Sequence, residues 1–429
     1  MEYLASDKIG IVDLGTGEIA EEELDDDLVL EKIGGAGITK ALYDRFADED
    51  PIVLGTGLLT GSLVPGSALG VITARSPLTG KVSHVPLNLD AGIELKYSGF
   101  DYIVIKGASD KPVYLWVHDG IADLNDADDL WGKDTWAATD DIRDLMGDDL
   151  IQILGIGEAG EKGAELAQIC INYWQSGDRF GFGTLFGKKK LKLVAIRGMG
   201  LLEIAEPEDF VEDCAGLLSA VRSGSNIGKK GIAAVAATLG EEDIEDWLKP
   251  LTHKQMACFN TPVPTNTFVF LDEDPARLEE TPVQEPGFLL TDIHPLLIFK
   301  KMGMGAADAC SALKACAKYG IDAAAVAELS EKGNLSTLEA IQNALPDLKG
   351  AASSSGDTVF SQWAGIGNPE KDEWLRRQAV AYIFGIHPVF IRMAPELTEE
   401  KLLDLASLGT DLELTAETLD EVVADIIKE

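Results

Sequence analysis

The chain has 429 residues, 46% of them hydrophobic, so it can form roughly two or three compact domains and is not a disordered protein. Its 73 acidic and 36 basic residues give a formal net charge of −37, which repels the phosphates of nucleic acids and the head groups of anionic lipids. We therefore expect neither a nucleic acid nor a membrane as a partner.

The five cysteines are odd in number, scattered and never in C-x-x-C spacing. This pattern does not resemble a disulfide framework and indicates reduced thiols. The first residues lack the basic segment and apolar run of a signal peptide, and no uninterrupted span of about 18 apolar residues follows. The sequence therefore predicts a cytoplasmic protein.

Short apolar runs broken by glycine fill the first half of the chain and predict β-strands. The predicted strands are residues 9–14, 52–55, 70–74, 102–106, 113–118, 151–154 and 191–196. Residues 39–46 and 162–169 are predicted to be helical. This half is therefore expected to be mixed α and β, with a sheet of mixed strand direction.

Beyond Glu206 the pattern becomes mostly helical. Pro207 suits the first turn of a helix, and apolar residues then recur at the spacing of one buried helical face. Two later helices are predicted to end at Gly320 and Gly385, because a left-handed glycine can close a helix. The low-complexity stretch 351–357 predicts a linker or loop between helical blocks.

The motif G-x-G-x-x-G runs from Gly155 to Gly160, after a predicted strand, as in dinucleotide-binding sites. Such a site also needs a second parallel strand that ends in an acidic residue about 20 positions later. Residues 174–187 are a glycine-rich stretch instead. A nicotinamide site is therefore not the preferred interpretation.

A series of sequence blocks carries a more specific signal. In chain order the blocks are GGAG at 34–37, GTGLLTG at 55–61, SPLTG at 76–80, ELKYSGFD at 94–101, LWGK at 130–133, GEAGE at 157–161 and GDRFGFGTLFGK at 177–188. In this order and spacing they resemble the N-terminal domain of the aldehyde ferredoxin oxidoreductase family. The resemblance continues more weakly through ACFNTP at 257–262, YGID at 319–322 and AVAYIFGIHP at 379–388.

This resemblance implies an α+β fold, with paired β-sheets and helices in residues 1–205, followed by mostly α-helical domains in 206–429 that divide near 325–370. It also implies, for catalytic members, a tungsten or molybdenum bis-pterin cofactor, a 4Fe-4S cluster and the oxidation of aldehydes to carboxylates. The chain is shorter than those members, and the missing stretch falls between residues 323 and 369.

The family's cluster-binding positions are changed in this sequence. The C-x-x-C-x-x-x-C loop falls on Cys258, Thr261 and Thr265, and the fourth cysteine falls on His387. Clusters are held by thiolates, usually four, whereas threonine hydroxyls are hard and neutral. We therefore expect no 4Fe-4S cluster. Cys258 and His387 could form a two-ligand metal site, but a buried thiol and a core histidine are the favoured interpretation.

The positions that contact the pterin in the family are changed as well. The expected arginine falls on Leu69, the expected asparagine falls near Pro86, and the aspartates that open two pterin motifs fall on Ala317 and Tyr382. A catalytic glutamate segment falls on a stretch ending at Leu289, and the catalytic histidine lies in the missing stretch. Leu69 and Pro86 cannot supply the lost donors, and Ala317 and Tyr382 lack the lost carboxylates. We therefore expect no bound cofactor and assign no catalytic residue.

Some residues could still bind a phosphate-bearing ligand through cationic side chains and backbone amides. Tight turns into a strand, with a solvated basic rim, are the alternative interpretation of the same glycines. The candidate ligand-binding residues are Arg179, Gly181, Gly183, Lys188, Gly320 and Asp322.

The leading hypothesis is a family member that keeps the scaffold and has lost the redox machinery. It would act as a structural, regulatory or partner subunit, as a homodimer or in a complex with a catalytic paralogue. One alternative is an oxidoreductase that binds tungstopterin or molybdopterin through altered contacts and lacks the 4Fe-4S cluster. A second alternative is a carrier of a phosphate-bearing ligand in the old cofactor cleft.

Overall fold

The computed structural model describes residues 1–224, 230–241, 243–271, 287–354, 358–361 and 371–428. Two six-stranded sheets lie in the first 197 residues, and helices dominate the described remainder. The predicted α+β fold class is therefore confirmed. Within the described ranges, no helix has the length and apolar character needed to cross a membrane.

Sheet 1 has the strand order β2-β1-β6-β3-β4-β5, in which β1 and β6 are parallel and the other pairs are antiparallel. Its strands are β1 Lys8–Asp13, β2 Ile19–Glu23, β3 Ile52–Thr56, β4 Gly70–Arg75, β5 Val82–Leu87 and β6 Tyr102–Lys106.

Sheet 2 has the order β11-β10-β9-β12-β7-β8, with one parallel pair, β7 and β12. Its strands are β7 Val113–His118, β8 Ile121–Asp126, β9 Gln152–Gly155, β10 Cys170–Ile171, β11 Trp174–Gln175 and β12 Leu191–Arg197. The mixed strand direction is as predicted. Because β10 pairs antiparallel with β9, the glycine motif that follows β9 does not belong to a parallel β-α-β unit.

The two sheets pack face to face around a common core. Ile103 and Ile105 of β6 belong to this core, together with Leu115 of β7 and Val194 of β12. Val104, between them, packs against the helices on the outer face of sheet 1. Successive residues of a strand point to opposite faces, so β6 is buried on both sides, which explains its unbroken apolar run.

The helices of the N-terminal half pack against the two sheets. They are α1 Asp26–Lys32, α2 Gly35–Arg45, α3 Ala91–Tyr97, α4 Thr135–Met146, α5 Glu158–Glu161 and α6 Phe182–Lys188. The helices described in the C-terminal half follow in chain order. They are α7 Pro207–Gly224, α8 Ile232–Ala237, α9 Ile244–Leu248, α10 His294–Lys301, α11 Ala306–Tyr319, α12 Ala323–Gly333, α13 Leu338–Ala344, α14 Lys371–Phe384, α15 Pro388–Met393, α16 Glu399–Thr410 and α17 Ala416–Ile427.

The helix predicted for residues 162–169 is wrong. Gly163 adopts a left-handed conformation with φ of +69°, and the chain leaves α5 in turns. The N–H of Gln168 then donates to the carbonyl of Gly320, 2.9 Å away. Pairing with this distant segment outweighs the weak local preference for helix.

A three-stranded antiparallel sheet in the C-terminal half is not predicted by the sequence. It comprises β13 Thr252–Met256, β14 Asn266–Phe270 and β15 Gly287–Leu290, in that order. The outer strand β13 has the sequence THKQM and no buried residue, so it lacks the apolar alternation that marks a strand.

The C-terminal helices cover both sheets. Ala381 and Ile383 of α14 share one hydrophobic core with Ile38 of α2 and Val53 of β3. On the side of sheet 2, α11 belongs to a second core that includes Trp136 of α4. The division of the C-terminal half near residues 325–370 stays a prediction.

The predicted loop at residues 351–357 lies partly outside the described residues, which end at Ser354 and resume at Thr358. Its first part is bound to α12. The hydroxyls of Ser353 and Ser354 donate to Glu328 Oε1 at 2.7 and 2.6 Å. Burial opposes ionisation of the Glu328 carboxyl, but a bond from His294 Nε2 together with the serine bonds lowers its pKa to about 2.

Candidate functional site

Two motifs of the same form join helices in the C-terminal half, and we call residues 317–322 motif 1 and residues 382–387 motif 2. In motif 1, Gly320 follows α11 with φ of +77°, and the Asp322 carboxylate caps α12 by accepting a backbone N–H bond of 2.9 Å. In motif 2, Gly385 follows α14 with φ of +83°, and His387 Nδ1 caps α15 by accepting a backbone N–H bond of 3.2 Å. Both predicted helix ends are confirmed, because glycine tolerates positive φ without strain.

Each motif meets a glycine of the N-terminal half at backbone contact. A Cβ added to Gly320 would lie 2.6 Å from the backbone nitrogen of Gly157, after β9. A Cβ added to Gly57, after β3, would lie 2.1 Å from the backbone nitrogen of Gly385. The glycine blocks that carry the resemblance therefore include the surfaces on which the two motifs dock.

The region beside motif 2 is filled by aromatic and apolar side chains. Tyr382 is 1% exposed and stacks on Phe360, with ring centroids 5.1 Å apart and an interplanar angle of 20°. Leu69 belongs to the same core and donates its backbone N–H to the carbonyl of Gly385 at 2.9 Å. The backbone on either side of Phe360 holds it there. The His84 N–H on the edge strand β5 donates to the carbonyl of residue 359 at 2.7 Å, and the N–H of residue 361 donates to the His84 carbonyl at 3.1 Å.

The other positions matched to pterin-binding or catalytic residues are also buried. Pro86 lies on β5 opposite Val71, and Leu289 lies on β15 at 3% exposure. Ala317 is fully buried in motif 1, and its carbonyl accepts a bond of 2.9 Å from the hydroxyl of Thr135. None of Pro86, Leu289 and Ala317 offers a side-chain donor, so these positions do not fit the phosphates and amides of a pterin cofactor.

Gly66 links His387 to the loop that contains Cys258. Its N–H donates to the carbonyl of Asn260, in the loop of Cys258, at 2.9 Å, and its carbonyl accepts the N–H of His387 at 3.3 Å. Burial raises the pKa of the Cys258 thiol to about 12, and burial lowers the pKa of His387 to about 4. Both groups are therefore neutral at pH 7.

These residues do not fit a 4Fe-4S cluster, which takes thiolates as ligands. They provide one protonated thiol, at Cys258. At the next matched position, the hydroxyl of Thr261 donates to the carbonyl of Phe259 at 3.2 Å and is not a thiolate ligand. Across the described ranges, no group of three or more His, Cys, Asp or Glu side chains is placed to hold a metal ion.

Arg179 lies at the centre of a buried charge cluster. It is 1% exposed, and its guanidinium donates to Asp322 Oδ1 of motif 1 at 2.7 Å and to Asp292. Burial opposes the charge of Arg179, but the two carboxylates raise its pKa above the ordinary value. Burial also raises the pKa of Asp322, against the attraction of Arg179. The cluster ties the loop before α6 to motif 1.

The predicted phosphate-binding glycines mainly allow close packing. A Cβ on Gly181 would lie 2.6 Å from the carbonyl oxygen of Glu165, and one on Gly183 would lie 2.6 Å from the backbone of Gln168. The Gly183 N–H already donates to the carbonyl of residue 167 at 3.1 Å.

Of the six candidate residues, the structure brings Arg179 and Asp322 into contact, with Gly320 nearby in motif 1. It places Lys188 at the opposite end of α6 from Gly181, with an exposed side chain. Binding of a phosphate-bearing ligand stays a prediction.

Sequence reasoning missed two of these features. Asp292 completes the Arg179 cluster, and its only sequence signal is its place just before His294 and Pro295 at the start of α10. Phe360 lies in a short segment beyond the low-complexity stretch, and no motif marks it. Its role depends on the pairing of that segment with β5.

A chain of buried hydrogen bonds leads to His84. Thr39 Oγ1 lies 3.4 Å from the carbonyl of Ala36 and 2.6 Å from Thr73 Oγ1, which lies 2.8 Å from His84 Nδ1. Because a carbonyl only accepts, Thr39 donates to it and accepts from Thr73, which then accepts from the Nδ1–H of His84. The Nε2 atom is left as an acceptor without a partner in the part of the chain described. Burial, with a smaller effect of Lys40, lowers the pKa of His84 to about 3.

The variant His84→Gln is expected to flatten the pH dependence of stability. The pKa of His84 in the folded protein, about 3, lies below its ordinary value of 6.5. Between these pH values the unfolded chain therefore binds a proton at His84 that the folded protein does not bind. The contribution of neutral His84 to the free energy of unfolding is therefore complete above pH 6.5. It is lost as the pH falls toward 3, by about 1.4 kcal/mol per pH unit for this one group.

Urea unfolding of wild type and His84→Gln between about pH 4.5 and 6 measures this slope. The control is His253→Gln, because His253 lies on the exposed strand β13. Equal slopes for His84→Gln and wild type would contradict the prediction.

Comparison with known proteins identifies relatives of this chain. Residues 9–198 match the family described as "Aldehyde ferredoxin oxidoreductase, N-terminal domain". The tungsten-containing aldehyde ferredoxin oxidoreductase of Pyrococcus abyssi is 31% identical over an alignment of 249 residues, and the match covers 55% of this chain and 41% of that protein. The WOR-like subunit of aliphatic sulfonate oxidoreductase from Pyrococcus furiosus is 27% identical over 47% of this chain and 35% of its own.

A solved structure extends the likeness over the C-terminal half. The active site complex BamBC of benzoyl coenzyme A reductase, in complex with 1,5-dienoyl-CoA, matches with a TM-score of 0.77 and 18% identity, over 99% of this chain and 88% of that chain. At this identity the match shows the fold alone. The sequence matches to the curated tungsten enzymes cover only about two fifths of their length, 41% for the Pyrococcus abyssi protein.

Proposed function

Because the chain belongs to the aldehyde ferredoxin oxidoreductase family, as a shortened member, we propose that it keeps the family's scaffold without its cofactor and cluster. In this proposal it acts as a structural, regulatory or partner subunit. The observation that carries the proposal is the stacking of Phe360 on Tyr382, with Leu69 in the same core, where the resemblance leads one to expect polar contacts to a pterin.

Electrostatics support the same proposal. A bis-pterin cofactor carries phosphates, so its site needs free cationic and amide donors. Arg179 is buried, and two of its guanidinium nitrogens already donate to Asp292 and Asp322. Two carboxylates with one guanidinium do not form an attractive site for a phosphate group.

Assembly with another subunit is part of the proposal. One relative is named a WOR-like subunit, and the solved structural match is a complex of two named components, BamB and BamC. In a homodimer, or in a complex with a catalytic paralogue, this chain would contribute binding surface and catalyse no reaction itself.

Elemental analysis of protein purified without oxygen tests the proposal. We expect less than about 0.1 atom of tungsten, molybdenum or iron per chain, and no charge-transfer absorption in the visible spectrum, because the sites lack ligands for either group. Stoichiometric tungsten or molybdenum would overturn the proposal in favour of an oxidoreductase. Iron near four atoms per chain would show that the Cys258 loop still binds a cluster.

The partner aspect is tested separately. Size-exclusion chromatography with light scattering gives the mass of the purified protein, and co-expression with a catalytic family member of the same organism tests for a stable complex. A monomer that does not bind such a paralogue would contradict the role as a partner subunit.

A further inference from the structure

A cavity of about 340 Å³ lies between α14, α15 and α16. Arg376, Arg377 and Arg392 line it, together with Glu373 and Glu399. Three guanidinium groups around one cavity stand out in a chain with 36 basic and 73 acidic residues. The volume is near the lower end of the range for small-molecule pockets, about 300 to 1,000 Å³.

Arg376 is neutralised by carboxylates. Its Nε and one terminal nitrogen donate to the two oxygens of Glu399 at 2.8 and 2.5 Å, and the same terminal nitrogen donates to Asp420 at 2.7 Å. This side-on pairing makes Arg376 and Glu399 a fixed wall of the cavity.

Arg377 has a fixed position but no ion pair with a carboxylate in the described chain. Its terminal nitrogens donate to the carbonyl of Ile391 in the last turn of α15 at 3.2 Å and to that of Leu397, between α15 and α16, at 2.8 Å. Burial lowers the pKa of Arg377, although Glu399 and Glu373 act in the opposite direction.

Arg392 is the second guanidinium that lacks a carboxylate partner among the described residues. It lies over the ring of Trp374, 5.4 Å from the ring centroid. It is half-buried, and burial lowers its pKa. A half-buried positive charge is costly unless an anion offsets it. Glu373 at the cavity rim is exposed to water and so offsets the charge of Arg392 only weakly.

We propose that this cavity binds a small molecule through an oxyanion, a carboxylate or a phosphate, placed between the guanidinium groups of Arg377 and Arg392. The planar donor fork of arginine matches both groups. Arg377 is held before binding by the carbonyls of Ile391 and Leu397, and Arg392 by Trp374, so little ordering is needed. A concave, partly open cavity of this volume suits a small ligand better than the broad surface of a protein partner. The proposal does not depend on the absence of the pterin.

Calorimetric titration and thermal unfolding of the full chain test this site, with inorganic phosphate and acetate as probes and sodium chloride at equal ionic strength as reference. We expect one or both oxyanions to bind and to raise the unfolding temperature beyond the effect of chloride. Preference for phosphate or for acetate then identifies the class of ligand. For Arg392→Gln we expect at least about a tenfold rise in the dissociation constant.

Two further variants make the result specific. Arg222→Gln removes the same charge from the exposed surface of α7 and should bind like wild type. Arg392→Lys keeps the charge without the fork and should bind at intermediate strength, which also guards against a folding defect in Arg392→Gln. Equal binding by wild type and Arg392→Gln, or no response to either oxyanion, would overturn the proposal. Metal analysis is independent of both results.

Discussion

Gly57→Ala is expected to abolish stable folding or to lower the free energy of unfolding by about 3 to 5 kcal/mol. The new Cβ would lie 2.1 Å from the backbone nitrogen and 2.3 Å from the Cα of Gly385. Both atoms belong to motif 2, whose backbone is also held by the Leu69 N–H bond to the Gly385 carbonyl at 2.9 Å. Both contacted atoms of Gly385 are backbone atoms, so no flexible side chain can move aside to make room for the new Cβ.

The matched control is Gly216→Ala in α7. A Cβ at Gly216 meets no atom within 4 Å, and alanine is the better helix former. We expect this variant to equal wild type or to gain up to about 1 kcal/mol. Urea unfolding followed by circular dichroism compares the three proteins. A Gly57→Ala protein as stable as wild type would show that motif 2 does not dock on this glycine.

Arg179→Met is expected to lower the free energy of unfolding by about 3 to 5 kcal/mol. The substitution keeps much of the side-chain volume but leaves Asp292 and Asp322 buried without their cation. Burial already raises the pKa of Asp322, so removal of Arg179 should raise it further and make the variant relatively more stable at low pH.

The triple variant Arg179→Met, Asp292→Asn, Asp322→Asn should recover a large part of the loss, because it removes the uncompensated charges. The exposed control Arg222→Met should change stability by less than about 0.5 kcal/mol. Chemical unfolding at pH 5 and pH 7 measures all four proteins. If Arg179→Met alone unfolds like wild type at pH 7, the buried cluster does not stabilise the fold.

Much of the N-terminal half follows from local sequence. The strands at residues 102–106 and 113–118 have the predicted bounds, because apolar runs between turn residues leave few alternatives. The helix ends at Gly320 and Gly385 were likewise readable, since each glycine has a positive φ at the close of a helix.

Other features depended on partners far away in the chain. Residues 162–169 are not helical, because Gln168 bonds to the backbone of Gly320 more than 150 positions later. The strand β13 pairs despite a polar sequence, since β14 supplies its hydrogen-bond partners. Local propensity is a matter of tenths of a kcal/mol per residue, so a few tertiary hydrogen bonds override it.

By itself, the sequence determined the fold class, the resemblance of the N-terminal half to the family and the chemical character of the matched positions, because each of these depends on residue type, spacing and local backbone preference. Only the tertiary structure decided what surrounds those positions. It put Phe360 against Tyr382, gave Arg179 a second carboxylate at Asp292, and gathered Arg377 and Arg392 around one cavity. These contacts arise where separate segments pack on one another, and no local pattern in the chain encodes which side chains will meet there.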